Sequence, residues 1–87
     1  MLSNKLMDRI SLFCYALVSH MFATMHNPRM RGDKFEWDAF PEMMEDHCRV
    51  ILCTFMSYSK NIKLECEDHA AKTGREIATD LVKWMTE

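Results

Sequence analysis

Apolar side chains return every three or four residues in three separate stretches of this chain, a spacing that suits coiled helices and excludes pleated strands. In the first stretch Leu6, Ile10, Phe13, Leu17, Met21 and Met25 recur at such steps. Ser3 stands where an N-cap belongs, since its hydroxyl can accept a backbone N–H of the first turn. A helix is expected over about residues 3–26. Asn27-Pro28 closes it, because the ring of Pro28 disfavours helical backbone in the residue before it. At about 100° per residue, Lys5, Asp8, Arg9 and Ser19 fall on the opposite side. Leu12, Tyr15 and Phe22 lie outside the main stripe, on the flank toward Asp8 and Ser19. That flank needs a cover, either another helix of the same chain or another chain.

The second stretch runs over about residues 39–59. Asp38 can cap it, Pro41 suits a first turn, and Glu42, Glu45 and Asp46 suit the positive end of the helix dipole. Its expected stripe is Phe40, Met44, His47/Cys48, Ile51, Phe55, Tyr58 and Ile62, with Glu42, Glu45, Asp46, Arg49 and Lys60 on the wet side. A break within Ser57-Tyr58-Ser59-Lys60-Asn61, capped by Ser59 or Asn61, separates it from a third helix over about 62–86. Without Gly or Pro at the break, one continuous rod is the other possibility. The third helix is expected to bury Cys66, Ala70, Thr73, Gly74, Ile77, Leu81, Trp84 and Met85, with Asp68, Lys72, Glu76 and Lys83 on its solvated side. Ala70, Gly74 and Ala78 keep part of its surface small enough for close approach of a neighbour. The expected fold is therefore all-α, a three-helix bundle in one domain over residues 1–87, with 27–38 as an internal linker and oligomerisation as a way to complete it. Phe35, Trp37 and Phe40, at the end of that linker, are too large and apolar to remain in water and should dock on the bundle.

Composition narrows the function classes. The chain is 48% hydrophobic and 28% charged, with two glycines and two prolines, which excludes a disordered tail and a loop-rich disulfide scaffold. Its nine methionines suit a plastic core or an adaptable contact face. A net charge of −2 gives nucleic acid and anionic lipid little to hold, and Arg29, Arg31 and Lys34 are the only basic concentration. Cys14, Cys48, Cys53 and Cys66 follow no disulfide framework spacing and sit in apolar helical contexts, as buried thiols do. Lys5 and Arg9 before the run Ile10 to Val18 mimic a secretion signal, but Asp8 interrupts the basic region and no small-x-small cleavage site follows. The 16 residues from Ile10 to Met25 include Ser11, Ser19 and His20, short of the roughly 20 apolar residues that a bilayer needs. The expectation is a cytoplasmic protein with no nucleic-acid or membrane partner. Arg31-Gly32-Asp33 matches an adhesion tripeptide, but an intracellular chain has no use for it.

The spacing Glu42-x-x-Glu45, then Glu65-x-x-Asp68 after 19 intervening residues, resembles the signature of the MazG-type all-α nucleotide pyrophosphohydrolases. The resemblance covers four positions in a segment of 27 residues. It would imply Mg²⁺ held by Glu42, Glu45, Glu65 and Asp68 against the phosphates of a nucleotide, with carboxylate oxygens as hard donors. On the helical wheel, however, Glu65 and Asp68 point away from the third apolar stripe, whereas a metal site inside a bundle needs inward carboxylates. Arg49 lies one turn from Glu45 and Lys72 one turn from Asp68, so surface pairing accounts for them. Cys66-x-x-His69 has ligand-compatible spacing, but adjacent His47 and Cys48 diverge by about 100° on a helix and cannot supply a second compact pair. No glycine-rich turn offers an oxyanion hole or a phosphate cradle. As a DNA reader the third helix would repel phosphate as much as attract it, through Glu65, Asp68 and Glu76.

What remains is a non-enzymatic protein–protein interaction module, needing no cofactor, that binds a partner protein, self-associates, or both. The width of the first helix's apolar surface is its main support, because a large contiguous apolar surface on a small domain marks an interface. Leu12, Tyr15 and Phe22 are the expected contact residues, with Arg31 and Trp37 as anchors, since aromatics and Arg dominate binding hot spots. A small inhibitor or adaptor carried by a phage or another mobile element and acting on a host protein fits this description.

Overall fold

The computed structural model describes residues 3–26, 36–54 and 60–86, with side-chain surroundings for all of these but 52–54, 60–61 and 86. Among the described residues there are three α-helices and no strand: α1 (Asn4–His26), α2 (Phe40–Thr54) and α3 (Lys60–Thr86), with a short 3-10 turn (Trp37–Ala39) leading into α2. The chain is an all-α three-helix bundle. α3 is its spine, packing along α2 and against α1, while α1 and α2 touch each other less. At 1.5 Å per residue the 27 residues of α3 span about 40 Å, which accounts for the long axis of 43 Å.

The ends of the helices follow local chemistry. Ser3 caps α1: its Oγ accepts the Leu6 N–H at 3.1 Å and its carbonyl accepts the Met7 N–H at 3.0 Å. At the start of α2 the arrangement differs from a side-chain cap at Asp38. That residue is inside the 3-10 turn, where the Ala39 N–H bonds the Glu36 carbonyl at 3.1 Å and the Phe40 N–H bonds the Trp37 carbonyl. The tighter turn hands its hydrogen bonds directly to the α-helix. The expected break at 57–61 and the linker over 27–38 lie largely outside the described residues, the end of the linker being the 3-10 turn, but α2 and α3 are separate helices that pack on one another.

The core follows one rule. Each helix contributes a row of residues four apart: Leu6, Ile10, Cys14, Val18 and Phe22 on α1; Phe40, Met44 and Cys48 on α2; Ile62, Cys66, Ala70, Gly74, Ala78 and Val82 on α3. The α2 row is fully buried throughout, while the α1 and α3 rows are buried in the middle and half-buried at their ends. Such four-step rows are the ridges with which one helix fits the grooves of another. A row stepping by four turns about 40° around the helix at each step, because 3.6 residues complete a turn.

That rule corrects three assignments. Phe13, Ile51 and Trp84 were expected in the core, and they are 60%, 39% and 71% exposed. Phe13 and Ile51 are reached from Ile10 and Cys48 by a step of three, which turns the other way from the four-step row, and Trp84 stands two residues past Val82, about 160° round the helix from its row. The phenyl ring of Phe13 therefore lies outside the groove that takes Cys14. Of the remaining residues expected in the third stripe, Thr73, Ile77, Leu81 and Met85 are half-buried and Cys66, Ala70 and Gly74 buried.

Small residues set the distance between helices. A Cβ on Gly74 would lie 2.6 Å from Cys48 Sγ and 3.0 Å from the Met44 carbonyl oxygen, so α2 approaches α3 as closely as a hydrogen atom allows. The methionines fill the space around these small residues: Met44 is fully buried, while Met7, Met21 and Met43 pack at the core's edge.

Candidate functional site

The residues singled out from the sequence separate into two groups. Phe22 and Trp37 belong to an aromatic cluster within the chain. The Phe22 ring lies 5.2 Å from Trp37, 5.9 Å from Phe40 and 4.5 Å from the His26 imidazole, and Trp37 lies 5.3 Å from Phe40. These tilted and edge-on contacts place positive ring edges against negative ring faces. They dock the end of the linker on the bundle, as its apolar character required, and both Phe22 and Trp37 are half-buried. Their four-step position on α1 and their place beside Phe40 explain this cover. Arg31 lies outside the described residues.

Leu12 and Tyr15 form the other group, 68% and 61% exposed. Leu12 is about 160° around α1 from buried Cys14, on the side opposite the core. Ala16 and Ala23, also exposed, continue this outward face along the helix with Ser19 between them. Leu12 and Tyr15 thus stand together in water midway along α1, about 60° apart, while Phe13 is exposed on the opposite flank, about 160° from Tyr15. The sequence pointed to Leu12 and Tyr15; it missed Phe13, whose three-step relation to Ile10 was the available signal.

The carboxylates that resemble the pyrophosphohydrolase pattern are engaged elsewhere or face solvent. Glu45 Oε2 accepts a hydrogen bond from Arg75 Nη1 at 2.6 Å, an ion pair between α2 and α3, while Arg49 pairs with Asp46 at 2.7 Å. Glu45 therefore has its cation on the neighbouring helix, not one turn away at Arg49. Glu42, Glu65 and Asp68 are exposed. Among the described residues no three His, Cys, Asp or Glu side chains come together as a metal-holding group.

Both histidines of the metal reading serve packing. The Nδ1–H of His47 donates to the Met43 carbonyl one turn back, at 2.8 Å. His69 reaches from α3 to α1, its Nε2 lying 3.2 Å from the Met7 carbonyl and 3.0 Å from Ser11 Oγ. A carbonyl only accepts, so the proton is on Nε2 and His69 clamps the two helices.

Three thiols occupy the centre of the bundle: Cys14, Cys48 and Cys66 are fully buried. Cys14 on α1 donates its S–H to the Ala70 carbonyl at 3.6 Å. Cys48 on α2 sits over Gly74, one turn further along α3. The two thiols also meet each other, and a hydrogen bond from Cys14 holds the Cys48 thiol below the usual cysteine range, against burial, which pushes it up. Cys14 has one proton to give, so it serves the carbonyl or the Cys48 sulfur in turn.

No protein-family model, curated protein or solved structure matches the chain. Among the described residues no helix is long and apolar enough to cross a membrane.

Proposed function

We propose that this chain is a non-enzymatic protein-interaction module whose contact surface is the outward face of α1. The observation that carries this reading is the exposure of Leu12 and Tyr15, one turn apart and about 60° from each other, on a helix whose other face is already used by the core. Withdrawing such side chains from water contributes about 25 cal/mol for each Å² of apolar surface, which makes a cluster of this kind a natural anchor. The contact is made to a partner protein, to a second copy, or to both. A small inhibitor or adaptor of phage type, working in the cytoplasm of a host, is the role that best suits a domain with so much of its substance in one helical face.

The experiment compares the protein with a Leu12→Lys/Tyr15→Glu variant. Light scattering is expected to give a mass above 10.3 kDa for the parent, or affinity purification from the native host a stoichiometric companion, and the variant is expected to lose either one. Its melting temperature should be unchanged, because both residues stand in water. A parent that is strictly monomeric and retains no companion would defeat the proposal.

A further inference from the structure

We propose that Cys14 and Cys48 are an oxidative modification site, a buried dithiol that closes to a disulfide and locks α1 to α2. Their placement is built by α3. The Ala70 carbonyl takes the Cys14 thiol, and the missing side chain of Gly74 makes room for the Cys48 sulfur one turn away. A side chain on Gly74 would push that sulfur aside. Each thiol thus comes from a different helix and is held against the same short stretch of a third. Cys66, also buried, lies one turn before Ala70 on α3 and is the internal control.

The oxidant is a peroxide. The Cys48 sulfur attacks one peroxide oxygen, the O–O bond breaks, and one water leaves as Cys48 becomes a sulfenic acid. The Cys14 sulfur then attacks the Cys48 sulfur, the S–O bond breaks, and the departing hydroxide takes the Cys14 proton as a second water. Two thiols have lost two protons and two electrons, and one hydrogen peroxide has become two waters. Cys48 is the first nucleophile because Cys14 donates a hydrogen bond to it. Since both sulfurs are buried, peroxide reaches them when α1 lifts locally from α3, and urea below the unfolding transition speeds the reaction.

The test uses the full-length chain carrying Cys53→Ser, so that the buried thiols react alone. It is reduced, treated with hydrogen peroxide, alkylated under denaturing conditions and mapped by mass spectrometry. The expected product is a monomer lighter by two hydrogens, with the peptide of Cys14 joined to that of Cys48 and Cys66 alkylated. Closing the loop between them should favour the folded state about a hundredfold, read as a raised melting temperature that a reductant reverses. Cys66→Ser should leave the linkage in place and Cys14→Ser should abolish it. Any other linkage, oxidation of single cysteines to sulfinic acid, an unreactive protein, or a linkage that lowers the melting temperature overturns the proposal; each can be read in the Cys53→Ser chain even if Cys14→Ser fails to fold.

Discussion

Replacing Gly74 with alanine puts a methyl group where α2 leaves room for a hydrogen. The new carbon would lie 2.6 Å from Cys48 Sγ and 3.0 Å from both Cys48 Cβ and the Met44 carbonyl oxygen, whereas comfortable contact between heavy atoms begins near about 3.5 Å. Two effects oppose each other. Alanine favours a helix interior over glycine by about 1 kcal/mol. Overpacking a filled core costs about 1–3 kcal/mol. Rotation of the Cys48 side chain moves its sulfur but neither its Cβ nor the Met44 carbonyl, so the upper part of that range applies. The net loss is about 1–2 kcal/mol, and each kcal/mol lowers the melting temperature by about 4–8 °C in a domain of this size. Urea unfolding followed by circular dichroism should show a lower midpoint with an unchanged slope. Placing Gly74→Ala in a Cys48→Ala background removes the shortest of the three contacts, so its cost should fall by about 1 kcal/mol, a coupling that a double-mutant cycle isolates. A Gly74→Ala protein as stable as its parent, or strict additivity with Cys48→Ala, would refute the close-approach argument.

Two further expectations concern the helix ends and the clamp between α1 and α3. Ser3→Ala deletes the oxygen that accepts the Leu6 N–H and should cost about 1 kcal/mol, seen as faster amide exchange in the first turn of α1; unchanged exchange there would discount the cap. His69→Leu leaves Ser11 without its partner across the helices and should cost about 1–2 kcal/mol, with loss of protection concentrated in the N-terminal half of α1. An even loss of protection over all three helices would instead mean that His69 acts through general packing.

The elements were largely legible in the sequence, and the site only partly so. Ser3, the period of three to four and the uniformly helical chemistry located α1 to within a residue at each end, because capping and amphipathic periodicity are local properties of the chain. The cover over Phe22 was not legible, since it depends on Trp37 and Phe40, which come from a segment beyond the end of α1. The same holds for Glu45, whose nearest cation in sequence is Arg49 but whose partner is Arg75, thirty residues away.

The sequence by itself determined that this chain coils and where α1 lies, because hydrogen bonding within a helix and the return of apolar residues are written over a few neighbouring positions, whereas it left open whether the second and third helices are separate. Periodicity also gave the inward side of α2 and α3, whose Phe40, Met44, Cys48, Cys66 and Ala70 are buried as expected, but which side of α1 turns inward was decided by tertiary structure. α1 carries apolar residues around most of its circumference, so either Phe13 or Cys14 could have faced the core on periodicity. The Ala70 carbonyl and the bare backbone at Gly74 accept thiols at close range and leave no space for a phenyl ring, so the cysteines went in and Phe13 stayed in water. Volumes must match across two helices at once, and no window of sequence along one of them contains both surfaces.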